Sequence, residues 1–109
     1  MKDSQQKVAE FVQKHELEAT PAFRLIDLFA ELGEIASEAA GSTEYGAEED
    51  ELEVSEDELG DTLFSPLSFA EAADIDAEQA LETSLDKYRE RIDESGSSGV
   101  RKLEQIIFY

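Results

Sequence analysis

The chain has no cysteine, which excludes disulfides, thiolate nucleophiles and zinc–thiolate centres. It has one histidine, His15, and only 9 lysines and arginines against 28 aspartates and glutamates, a formal net charge of −19. Such a surface repels nucleic acid backbones, so DNA or RNA binding is not expected. No apolar run approaches the roughly 18 residues that a membrane span needs. The opening "MKDSQQKVAEF" lacks the apolar stretch of a secretory signal. These absences lead us to expect a soluble, cytoplasmic protein with no membrane partner. Strand-type alternation persists nowhere, so the expected fold class is all-α.

What is present is acid, together with enough apolar residues to fold. Hydrophobic residues make up 40% of the 109, and they fall at helical spacing, which argues against disorder. The length suits a single domain with a modest core, so self-association is expected to supply further burial. Many acids, few lysines, and much alanine and serine resemble the composition of proteins adapted to high salt. Charge repulsion reaches about 10 Å at 0.1 M salt and about 3 Å at 1 M. Thermal stability is therefore expected to rise strongly between low salt and molar KCl. Melting curves that coincide in the two conditions would refute this.

Four helical segments are legible. The first runs from about Ser4 to Leu17, with Val8, Phe11 and Val12 on one face. The second opens at "TPAF", Thr20 as cap and Pro21 in the first turn. It is expected to end near Ala40, with Gly41 as its stop. The third opens at "SEDE", where Ser55 and Glu58 form a capping-box pattern, and runs to about Ala73 with Pro66 inside it. The fourth opens at Asp76 with Gln79 and runs to about Asp93. It carries Ala77, Ala80, Leu81, Leu85, Tyr88 and Ile92 as its stripe. The acidic "GSTEYGAEEDELEV" between the second and third reads as a long loop, and "SGSSG" from Ser95 as a flexible linker. The expected organisation is a helical domain over 1–94 and a tail over 95–109. Helices two and three are apolar over more than one stripe, so they need cover on several sides. A second chain is the simplest source of it.

Acids interrupt those apolar faces at regular intervals. "ELGE" at 31–34 and "ELGD" at 58–61 each place two carboxylates one turn apart, on one helix side. Asp27 and Glu38 extend the first pair into a stripe at 27, 31, 34 and 38. Like charges at this spacing destabilise a helix, and a bound divalent cation relieves them. A set of carboxylates without histidine or cysteine favours a hard ion, Mg²⁺ or Mn²⁺, over zinc or di-iron. His15 lies in neither motif and reads as a helix-end residue. In a protein so rich in acid, solvated faces are the competing explanation.

"ELGE", 23 intervening residues and "ELGD", with the surrounding "ELGDTLF" and the later "ADIDAEQAL", resemble the MazG-like family of nucleoside triphosphate pyrophosphohydrolases. The family pattern is Glu-x-x-Glu, a variable gap, then Glu-x-x-Asp, and the likeness extends over about Thr20 to Ile92. It implies a four-helix bundle-type domain assembled as a homo-oligomer, a dimer or a tetramer. It also implies Mg²⁺ on Glu31, Glu34, Glu58 and Asp61, and hydrolysis of a nucleoside triphosphate to the monophosphate and pyrophosphate. Glu34 or Glu38 is the candidate to take a proton from water. Lys87 resembles a basic position late in the family's fourth helix that helps hold phosphates. Arg91 shares its face, and Arg24, ahead of the acidic stripe, is a further phosphate candidate. Tyr88 stands where many members have asparagine, and Ala30 where many have glutamate. Two other functions compete: the related phosphoribosyl-ATP pyrophosphohydrolase, and a non-catalytic acidic module that binds a partner.

Overall fold

A computed structural model of the chain describes residues 1–94. All the regular structure described is helical, as expected: α1 (Lys2–Lys14), α2 (Pro21–Ser42), α3 (Glu56–Ala72) and α4 (Ala77–Glu94), with a short 3-10 turn at Glu49–Glu51. The tail expected over 95–109 lies outside the described residues. The chain divides into two compact units, one spanning Met1–Ile75 and the other starting at Asp76, and each is described by itself.

The starts of α2, α3 and α4 follow from their caps. Thr20 Oγ1 accepts from the Phe23 amide at 3.2 Å, Ser55 Oγ from the Glu58 amide at 3.1 Å, and Asp76 Oδ1 from the Gln79 amide at 3.2 Å. Each bond satisfies one of the amides that a helix start leaves without a partner.

The ends of α3 and α4 fall within a residue of the expected Ala73 and Asp93, whereas those of α1 and α2 differ from expectation. Helix α1 stops at Lys14 rather than continuing to Leu17, and α2 passes through Gly41 to Ser42. Left-handed residues end these helices, but none is glycine at the first turn-back. Glu16 (φ 55°), Glu44 and Tyr45 (φ 49° and 59°) and Asp74 (φ 58°) follow α1, α2 and α3. Amides then bond back over the last turn: Leu17 to the Val12 carbonyl at 2.9 Å, Tyr45 to Ala40 at 2.8 Å, and Ile75 to Ala70 at 2.8 Å. These closing bonds offset the roughly 1–2 kcal/mol that a side chain costs in the left-handed region.

Within the first unit, α3 packs against both α1 and α2. Ser65 Oγ donates to Asp27 Oδ2 at 3.3 Å, while the Glu53 amide donates to Ser42 Oγ at 2.9 Å. Rising numbers on α2 thus meet falling numbers around α3, so the pair is antiparallel. Helix α1 is antiparallel to α3 for the same reason. Gln5 Nε2 donates to Glu71 Oε1 at 3.0 Å and to the Ile75 carbonyl at 2.8 Å, and the Phe11 ring meets Phe64 edge-on at 6.3 Å. Pro66 lies inside α3 and takes one amide out of its ladder. Its neighbours Ser65 and Ser68 are buried, and side chains this small let another helix approach closely.

The first unit has little apolar core of its own. Leu67 and Ala70 are the buried apolar residues among those described, while Ile26 and Phe29 on α2 are 70% and 80% exposed. Phe23, Leu25, Leu32, Leu59 and Leu63 are about half exposed. In the second unit, no residue of α4 is buried. Its Arg89–Asp86 ion pair at 2.7 Å is exposed, a type that contributes about 0–1 kcal/mol.

Candidate metal centre

One helix turn from α2 and one from α3 bring three of the predicted acids together. Glu31, Glu34 and Glu58 each offer a carboxylate oxygen, and the three atoms lie within 4.8 Å of one another. Antiparallel packing makes this possible, because a single Glu-x-x-Glu turn presents two carboxylates and the third arrives from the facing helix. Asp61, the fourth predicted ligand, is outside that trio, yet its charge acts on both Glu31 and Glu58.

The oxygens lack partners. Glu31 Oε2, Glu58 Oε2 and Glu38 Oε2 are buried and accept no hydrogen bond. A buried acceptor left unpaired is costly, and two of these, on Glu31 and Glu58, belong to the close trio. The Ser55–Glu58 capping box is only half made. The serine accepts from the Glu58 amide, but the Glu58 carboxylate does not reach back, which leaves it free for the cluster. An oxygen-only donor set of this kind fits a hard divalent cation, so these residues suit the Mg²⁺ or Mn²⁺ that the family resemblance implies.

Burial, followed by the charges of Glu34, Asp61, Asp27 and Glu58, raises the Glu31 carboxyl above its ordinary range. Burial, followed by Glu38, Glu34, Asp61 and Asp57, does the same to Glu58. The folded state therefore holds these protons more tightly than the unfolded chain. The resulting stability is complete below the ordinary glutamate range and is lost as pH rises through the raised values. In chelator-treated protein, the melting temperature is expected to fall between mildly acidic and neutral pH. Glu31→Gln should flatten that slope, and Glu82→Gln, an exposed acid on α4, should leave it. Equal slopes in the three proteins would contradict a local origin.

The other predicted residues are placed as follows. Glu38, one turn beyond Glu34, is half-buried, and its charge is the largest of those acting on Glu58. Arg24 is 7% exposed, and its guanidinium donates to the Leu17 carbonyl and lies 5.8 Å over the Phe64 ring. It is thus employed in tying the α1–α2 connection to α3. Lys87 and Arg91 are on α4, where Lys87 Nζ sits 5.6 Å over the Tyr88 ring. His15 is at the α1 terminus, its ring 4.6 Å from that of Phe11.

Beside the cluster lies an open cavity of about 590 Å³, lined by Glu38, Ser42, Leu52, Glu53, Val54 and Ser55. Sequence pattern alone marks this stretch only as loop. Its available signal was the pair Leu52 and Val54, two apolar residues in an otherwise acidic segment.

The family model of the MazG nucleotide pyrophosphohydrolase domain matches residues 7–95, which include both acidic motifs. No curated protein and no solved structure matches the chain.

Proposed function

The chain belongs to the MazG nucleotide pyrophosphohydrolase family, and from that premise we propose that it is a Mg²⁺-dependent hydrolase of nucleoside triphosphates. It cleaves between the α and β phosphorus atoms, releasing a nucleoside monophosphate and pyrophosphate, and removes unwanted nucleotides from the cytoplasmic pool. The observation that carries this reading is the convergence of Glu31, Glu34 and Glu58, two of which, Glu31 and Glu58, hold a buried oxygen with no hydrogen-bond partner among the described residues.

In this reading Glu31, Glu34, Glu58 and Asp61 hold Mg²⁺, with Mn²⁺ as a substitute. When bound, the cation supplies charge neutralisation at the phosphates and lowers the barrier to in-line attack. The residues of the chain do the rest. Glu34 or Glu38 accepts the proton of the attacking water, a role suited to a carboxylate not fully committed to metal. Lys87 and Arg91, four residues apart on one helix face, supply positive charge to the triphosphate. The exposed apolar faces of α2 and α3 are covered in a homo-oligomer, a dimer or tetramer. The surface of net charge −19 keeps nucleic acids away.

The test is incubation with a panel of NTPs and dNTPs plus Mg²⁺ in molar salt, measuring pyrophosphate against orthophosphate. Pyrophosphate is the expected product. Orthophosphate alone would place cleavage elsewhere, and no turnover with any nucleotide would remove the enzymatic reading.

A further inference from the structure

The cavity beside the carboxylates has the chemistry of a nucleoside subsite and not of a phosphate subsite. Its six lining residues include no cation. Glu38 and Glu53 are the charged residues among them, and carboxylates, as anions, only accept hydrogen bonds. The Ser42 hydroxyl is already used, donating to the Glu38 carbonyl at 2.8 Å and accepting from the Glu53 amide at 2.9 Å. Ser55 Oγ accepts from the Glu58 amide, and its hydroxyl proton is left to give. Such a wall repels phosphate and favours groups rich in donors, such as sugar hydroxyls and amino groups.

Two apolar side chains complete it. Leu52 and Val54 are 47% and 37% exposed and line the cavity. The Ser42–Glu53 bond fixes the residue between them across 11 positions of sequence, so this wall is tied to the end of α2. The volume falls within the roughly 300–1,000 Å³ of small-molecule sites. Glu38 belongs both to the cavity and to the acidic stripe, and Ser55 bonds the amide of Glu58. A nucleoside seated here therefore has its phosphate end beside the carboxylate cluster.

We propose that this cavity receives the sugar and base of the nucleotide, with Leu52 and Val54 against the base and Glu53 favouring bases that carry an exocyclic amine. The proposal rests on the pyrophosphohydrolase reading above and assigns specificity to the loop between the two acidic motifs. Glu53 accepts from the amine of cytosine or adenine, whereas the oxo group of uracil or hypoxanthine meets only another acceptor. Ser42 is a positioning residue, acting through Glu53.

Two measurements test it. In the first, cytidine or uridine, without phosphate or metal, is titrated into the full chain and followed by amide NMR shifts. Cytidine is expected to shift Leu52, Glu53, Val54 and Ser55 and to bind more tightly than uridine. Shifts confined to other residues, or none, would overturn the assignment. In the second, Leu52→Ala and Val54→Ala should each raise KM for CTP about tenfold and leave kcat within about twofold. Glu53→Gln, which can both donate and accept, should bring the CTP to UTP ratio of kcat/KM toward one. Unchanged KM values and an unchanged ratio would also overturn it. An unaltered enzyme inactive on every nucleotide would refute the hydrolase alone, and the nucleoside titration would still decide the cavity.

Discussion

Glu31→Gln is expected to lower Mg²⁺-dependent pyrophosphate release about 100-fold or more, and at the same time to raise the melting temperature of the metal-free protein in low salt. The opposite signs have one origin. Glu31 is a half-buried carboxylate with one oxygen unsatisfied and four acids acting on it. Glutamine keeps the shape, removes the charge and brings an amide able to donate to neighbouring carboxylates. The apo fold gains from this change, while a cation site loses one of its anionic ligands. Glu58→Gln should behave alike, since its environment has the same character. Asp61→Asn should reduce turnover with a smaller gain in stability, because Asp61 is exposed and outside the close trio. Circular dichroism and a pyrophosphate assay on the same preparations decide the matter. A Gln variant that loses activity and melts lower would mark Glu31 as structural. One that keeps activity would remove it from the metal set.

The acidic cluster was legible because both halves of it are local. Glu-x-x-Glu and Glu-x-x-Asp spacings fix the side on which each pair projects, and the antiparallel return of α3 brings Glu58 to Glu31 and Glu34. The helix starts were legible for the same local reason, as Thr20, Ser55 and Asp76 each cap through a bond three residues away. The ends of α1 and α2 were not, because Glu16 and Glu44 occupy left-handed positions that pattern reasoning reserves for glycine. Gly41 was misread for the converse reason: a glycine can sit inside a helix when the turn-back comes later. What spacing alone could not give was burial. Arg24 looked like a free cation ahead of the acids, but the chain returning from α1 buries it under the Leu17 carbonyl. The cavity wall at Leu52 to Ser55 depends on the bond from Glu53 to Ser42, a contact between segments that no periodicity announces.

Mg²⁺ at about 100 times its dissociation constant should raise the melting temperature by on the order of 10 °C beyond what NaCl of equal ionic strength achieves. Two electrostatic effects have to be separated here. The net charge of −19 is spread over the whole chain, and monovalent salt relieves it as the screening length shortens. The trio of Glu31, Glu34 and Glu58 is different, since its oxygens lie within 4.8 Å of one another, well inside the screening length of about 10 Å at 0.1 M. Moderate NaCl therefore leaves most of that local repulsion in place, whereas a coordinated divalent ion removes it. Binding to the folded state alone at this concentration contributes about 2.7 kcal/mol, and small domains gain about 4–8 °C per kcal/mol. Glu58→Gln should lose this divalent-specific increment and keep the response to NaCl. If MgCl₂ and NaCl at matched ionic strength shift the unaltered protein equally, the cluster is only part of a charged surface and holds no ion.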